Sequence, residues 1–282
     1  MEEVYKINGN DTYDNITCQG NFTFYKCLDS TSIFVMGKGT MVFNDGGGNC
    51  IKIGNIRNSL LNGQGKMVDS NGIGYEGFFE HDLLNGKGKI TSEDGIIIEG
   101  NFKNDLLYGE GKITFKDGTT HEGNFKNNLL TDKGKITCKD GTTHEGNFKN
   151  NLLNGKGKTI TKDGYIIEGN FKNGFLHGKG KYTFKHRTTH EGNFYNGILN
   201  GQGKIILNNG TTHKGNFVNT SFIYTKKSNK NGIFTKYDNI ILQNGVNYTR
   251  TSDYDNIEEK LTSAYKKLQE INDGTYTKIQ SE

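Results

Sequence analysis

A period of 23 residues governs this chain. Gly-x-Gly pairs stand at Gly63/Gly65, Gly86/Gly88, Gly109/Gly111, Gly155/Gly157, Gly178/Gly180 and Gly201/Gly203. Gly86 to Gly109 is 23 residues, and the same step links Gly63 to Gly86, Gly155 to Gly178 and Gly178 to Gly201. Gly109 to Gly155 is 46 residues, two steps. The copy between keeps only its second glycine, Gly134, with Asp132 in place of the first. A fixed period of 20 to 50 residues signals an array of supersecondary units, each burying its apolar surface against its neighbours.

One unit, Gly109 to Asn127, reads GEGKITFKDGTTHEGNFKN. The β-compatible run Lys112–Lys116, the Asp117-Gly118 dipeptide and the second run Thr119–Phe125 form a hairpin signature. Side chains alternate along a strand. Gly111, Ile113 and Phe115 therefore share a face, as do His121, Gly123 and Phe125. Lys112, Thr114, Thr120, Glu122 and Asn124 take the wet, charged face. The bare glycines predict that the phenylalanine of each unit lies flat on neighbouring backbone, as in aromatic rescue of strand glycines. Apolar pairs in the connections (Leu83-Leu84, Leu106-Leu107, Leu129-Leu130, Leu152-Leu153) predict a ridge along one edge of the array.

The pattern Tyr75-Glu76-Gly77-x-Phe79, a short loop, Gly86-x-Gly88 and then Asp94-Gly95 resembles the MORN repeat (membrane occupation and recognition nexus). The resemblance is strong from Gly63 to Phe217 and weaker on the flanks. It departs from the family in one row. The tyrosine before Glu-Gly survives at Tyr75, but is His at 121, 144 and 190 and Ile at 98 and 167; His213 stands in the same row.

Only 32% of the 282 residues are hydrophobic, mean hydropathy is −0.72, and there are 40 glycines. That is poor material for one compact core and sufficient for an elongated array. The absence of proline suits a continuous hydrogen-bonded ladder. A net charge of +4 from 35 basic and 31 acidic residues gives no support to nucleic-acid binding. The four cysteines lack Cys-x-x-Cys spacing and read as thiols in a reducing compartment. With no signal sequence and no run near the ~20 apolar residues of a membrane span, a cytoplasmic location is expected, peripheral to a membrane or cytoskeletal structure at most.

In order along the chain, residues 1–62 read as degenerate N-terminal repeats or a cap, 63–218 as the regular array, 219–250 as degenerate C-terminal repeats, and 251–282 as a helix and tail. In the last segment Tyr254, Ile257, Leu261, Ala264, Leu268 and Ile271 form one apolar stripe at helical spacing. The stripe fits either a cap on the last hairpin or an oligomerisation helix.

Catalytic and metal signatures are missing. His121 and His144 fall one unit, about 10 Å, apart, too far to share a zinc ion. There is no phosphate-binding loop and no nucleophile elbow. Glu76, Glu99, Glu122, Glu145, Glu168 and Glu191 recur once per unit, which suits pairing with the lysine row better than catalysis. The expected fold is all-β: an elongated single-layer antiparallel meander of hairpins with a short C-terminal helix. No enzyme activity and no cofactor are expected. The resemblance implies a non-catalytic interaction scaffold or tether, with a phospholipid-binding peripheral adaptor as the alternative. A protein partner, or a second copy of the chain, is expected on the row Tyr75, Phe102, His121, Phe125, His144, Phe148, Phe171, His190, Phe194 and His213. Lys112, Lys135 and Lys158 are the candidate lipid-facing residues.

Overall fold

Nineteen strands in chain order form one antiparallel sheet in the computed structural model, each strand pairing with the one before it and the one after. The structure describes residues 2–13, 15–26, 33–44, 48–185, 187–219 and 221–223. The expected helix, Tyr254 to Ile271, lies outside them. The first strands are long: β1 Glu2–Tyr13, β2 Ile16–Lys26, β3 Ile33–Asn44 and β4 Asn49–Arg57. A regular alternation follows, with β5 Leu60–Val68, β6 Gly74–Glu80, β7 Leu83–Thr91, β8 Ile97–Lys103, β9 Leu106–Thr114 and β10 Thr120–Lys126. It continues through β11 Leu129–Thr137, β12 Thr143–Lys149, β13 Leu152–Ile160, β14 Ile166–Lys172, β15 Phe175–Thr183 and β16 Thr189–Tyr195. It closes with β17 Ile198–Ile206, β18 Thr212–Val218 and the short β19 Ser221–Ile223. At about 4.8 Å per strand the sheet runs for about 85 Å.

The turns alternate between two kinds. Asp117-Gly118 lies in the wider one. There the Gly118 N–H donates to Phe115 O at 2.9 Å, and the Phe115 N–H to Thr119 O at 2.9 Å. The tight turn is Asn127-Asn128, with φ of 50° and 65°. Positive φ at both central residues defines a type I′ hairpin, the two-residue turn whose twist matches its strands. The positions recur at Asn104-Asp105, Asn150-Asn151 and Asn173-Gly174. The second turn residue also clamps the preceding repeat. Asn128 donates its backbone N–H to Leu107 O at 3.1 Å and accepts the Leu107 N–H on Oδ1 at 2.6 Å. Asp82 makes the same pair of bonds with Leu61, Asp105 with Leu84 and Asn151 with Leu130. At Gly174 and Gly197 only the backbone half remains.

A row of glycines crosses the sheet. Gly111, Gly123, Gly134, Gly146 and Gly157 are direct cross-strand neighbours. The row extends back through Gly39 and Gly20 to Gly9, and forward to Gly215. Gly123 has φ +139°, and a Cβ there would stand 2.6 Å from Gly134 Cα. Only glycine fits. The strands crease along this line. In β1 the Tyr5 hydroxyl donates to the Asp11 carboxylate, six residues along the same strand. Six extended residues span about 20 Å, so the strand folds sharply between them, at Gly9 (φ 127°). The first glycine of each Gly-x-Gly behaves differently. Gly109 has φ +83° and open space around it, and its counterpart Asp132 has φ 55°. Aspartate tolerates that left-handed region, which explains the one copy without a glycine there.

The crease gives a single sheet an interior. Leu107, Ile113, His121 and Phe125 all point inward and are at most 2% exposed, while Glu122 and Lys126 point out. Two expectations are corrected. The covering of bare backbone falls to leucine, since a Cβ on Gly111 would meet Leu107 Cδ1 at 2.7 Å. Phe125 stands opposite Gly109 and Leu130 instead; the expectation holds for Phe22, which lies over Gly37 and Gly39, and in part for Phe171, which shares the cover of Gly157 with Leu153. The second member of each apolar pair is accordingly core and not an edge ridge: Leu84, Leu107, Leu130 and Leu153 are fully buried. Residue 63, where the regular repeats are expected to begin, lies inside β5.

Candidate interaction surface

The inner row comes first, because the sequence points to it. Cross-strand register places Tyr75, Ile90, Ile98, Ile113, His121, Ile136 and His144 side by side. Tyr75, Phe102, His121, Phe125, His144, Phe148, Phe171 and Phe194 are all buried, and His190 and His213 are half-buried. These side chains hold the two limbs of the creased sheet together. In this conformation they give a partner almost no surface to touch.

The row is chemically quiet at neutral pH. The Tyr75 hydroxyl donates to Asp69 Oδ2 at 3.3 Å, and burial, then the nearby Asp69 and Asp105 carboxylates, hold its phenol above the ordinary range. His121 has no hydrogen-bond partner on either ring nitrogen; its ring meets Phe115 edge-on at 5.1 Å. His144 Nδ1 lies 2.9 Å from Thr159 Oγ1. Burial lowers His121, His144 and His190 each to about 4, so all three are neutral at pH 7. Among the described residues no group of three or more His, Cys, Asp or Glu is placed to hold a metal ion. Asp105 departs in the opposite direction. Burial, with the Asp82 and Asp69 charges, raises its carboxyl to about 6 against the lowering effect of the Leu84 N–H.

The accessible chemistry is on the outer face. Glu122 stands between Lys112 and Lys135 in register, and Glu145 between Lys135 and Lys158. Ion pairs form at 2.6 Å for Lys112–Glu122, 3.0 Å for Lys89–Glu99 and 3.0 Å for Lys204–Glu191. These pairs are solvated and contribute about 0.2–1 kcal/mol each. The candidate lipid-facing lysines Lys112, Lys135 and Lys158 thus alternate with carboxylates. The uncompensated charge is in two neighbouring rows. Lys126, Lys149 and Lys172 stand opposite Leu129, Leu152 and Phe175. Lys133, Lys156 and Lys179 stand opposite Asn147, Asn170 and Asn193. All six are exposed. The repeated Phe-Lys-Asn tripeptide (Phe125-Lys126-Asn127, Phe148-Lys149-Asn150, Phe171-Lys172-Asn173) is the signal from which the first of these rows could have been read. Two aromatic residues break the pattern: Phe78, 50% exposed, stands where later repeats have Asn101 and Asn124, and Tyr195, 60% exposed, stands where they have lysine.

No helix among the described residues is long and apolar enough to cross a membrane. A family model for the MORN repeat matches residues 36–48, 53–73, 75–97, 99–120, 121–143, 144–164, 168–185 and 190–212, together more than half of the chain. Among curated proteins, none matches.

Proposed function

The chain belongs to the MORN-repeat family, and from that premise we propose that it is a non-catalytic scaffold whose outer face binds a protein partner. The supporting observation is the exposed pair of lysine rows, repeated rung after rung on a continuous sheet. A surface that repeats one motif at intervals of about 10 Å suits an extended acidic partner. The interior, filled by its own rings, supports placing the contact outside. The expected location is cytoplasmic.

The test is recovery of the crosslinked native complex from cells carrying either the wild-type chain or the variant K126E/K149E/K172E. The expected result is a protein at fixed stoichiometry with the wild type and lost from the variant. A wild-type chain recovered without any protein partner would sink the reading. The same lysines support a second reading, docking on an anionic bilayer, where each lysine near the surface contributes about 1 kcal/mol. Flotation with phosphatidylserine vesicles separates the two: binding that survives without any protein partner and falls in the same variant favours the lipid adaptor.

A further inference from the structure

We propose that the inner histidines form an acid-operated latch: protonation of His121, His144 and His190 opens the creased sheet over the repeats that carry them, while the repeats before them, whose one histidine (His81) is an exposed turn residue, stay closed. The inference concerns control of the array and does not depend on which partner binds outside.

The geometry leaves a charged imidazole no accommodation. His121 is fully buried between Ile113 and Ile136, against the Phe115 ring, with both ring nitrogens unpartnered. The charged or titratable groups that act on it are Asp117, in the turn after β9, and His144, one repeat on. Asp117 favours the cation, and His144 once protonated opposes it. His144 sits between Ile136 and Thr159, and Asp140, in the turn after β11, is the charge acting on it. His190 lies between Tyr182 and Ile205 with the Phe184 ring 4.8 Å away, and no charged group among the described residues offsets its burial.

The sign follows from linkage. A histidine whose affinity for protons is depressed when closed favours the closed form above its open-state value of about 6.5 and loses that advantage as pH falls toward 4. At about pH 5 each such histidine shifts the opening equilibrium by roughly 30-fold. The response is local because a linear array couples only nearest neighbours. Tyr75 and Ile98 hold the same position in the earlier repeats. Asp105, in that earlier part, gains rather than loses stability on protonation.

Amide hydrogen exchange on the full chain at about pH 5 and pH 7, corrected for intrinsic exchange rates, tests the latch. Protection over β10 to β13 should fall at least tenfold, while β5 to β8 change by less than about threefold. Equal loss in both regions, or no loss in either, would overturn it. Replacing His121 and His144 with Ile, the residue already present at 98 and 167, should abolish the acid effect; persistence of that effect would also overturn it. Should that variant not fold at pH 7, an NMR titration of the wild-type imidazoles decides. Resistance of the His121 and His144 rings to protonation until the closed form is lost supports the latch. Titration near 6.5 with the fold intact refutes it.

Discussion

At the residue scale, what matters is where a Cβ or a charge can be tolerated. The glycines look alike in the sequence and are not alike in the fold. Gly109 occupies open left-handed backbone, so Gly109→Asp should cost under about 1 kcal/mol, as Asp132 already shows for its own copy. Gly123→Ala places a methyl 2.5 Å from Lys133 O at a φ of +139°, and should cost at least about 2 kcal/mol by chemical denaturation. Equal costs at the two sites would refute the glycine crease. Asp105 offers a gain. It makes the clamp that Asn128 and Asn151 make, but buries a carboxylate to do so. Asp105→Asn should stabilise the chain by about 1–3 kcal/mol at pH 7. The raised carboxyl means its cost is present above about pH 6 and is relieved as pH falls through that value, so the gain should shrink below it. A destabilised D105N would show that the charge itself is needed at the clamp.

At the element scale the sequence was informative about strands and less so about turns. Alternation in Lys112–Phe115 and Thr120–Phe125 correctly assigned inner and outer faces, because one buried face leaves only one register workable. Asp117-Gly118 does turn the chain between β9 and β10, but the sequence carries no comparably strong signal for the tight turn at Asn127-Asn128, where asparagine side chains tolerate positive φ. Phenylalanine was expected over the bare backbone because it is the larger group; the crease instead brings leucine, two and four positions before the Gly-x-Gly residues, onto the same face. The inner row was legible as a row but not as a core. A single sheet has no second layer to bury it, and the crease that supplies the burial comes from Gly9 through Gly215, several of which fall outside the recognisable motif. Register also makes a sharp prediction. Deleting 23 residues, Gly86 to Tyr108, joins equivalent positions and should leave a folded, shorter sheet by circular dichroism and light scattering. Deleting one residue fewer inverts every inner and outer side chain beyond the junction and should give aggregation. A folded product from both deletions would contradict a face-specific array.

At the scale of the whole molecule, a sheet held only by neighbour contacts spreads its stability over many similar interfaces and leaves a long surface available. The sequence alone drew attention to Lys112, Lys135 and Lys158 through the salience of the Glu-Gly motif beside them. Cross-strand pairing, which no single repeat displays, moves the unbalanced charge to Lys126, Lys149 and Lys172 and to Lys133, Lys156 and Lys179. The contribution of Tyr254 to Ile271 to assembly is accessible to light scattering on the full chain and on a chain ending at Arg250. A dimer that becomes monomeric on truncation would assign self-association to that segment; an unchanged mass would not.

The most direct measurement is a lysine acylation footprint read by mass spectrometry, comparing the purified chain with the detergent-washed complex from its native cells. The expected result is protection of Lys126, Lys149, Lys172, Lys133, Lys156 and Lys179 in the complex, with these same residues reactive in the purified chain. Full reactivity of all six in the complex would contradict an outer-face scaffold.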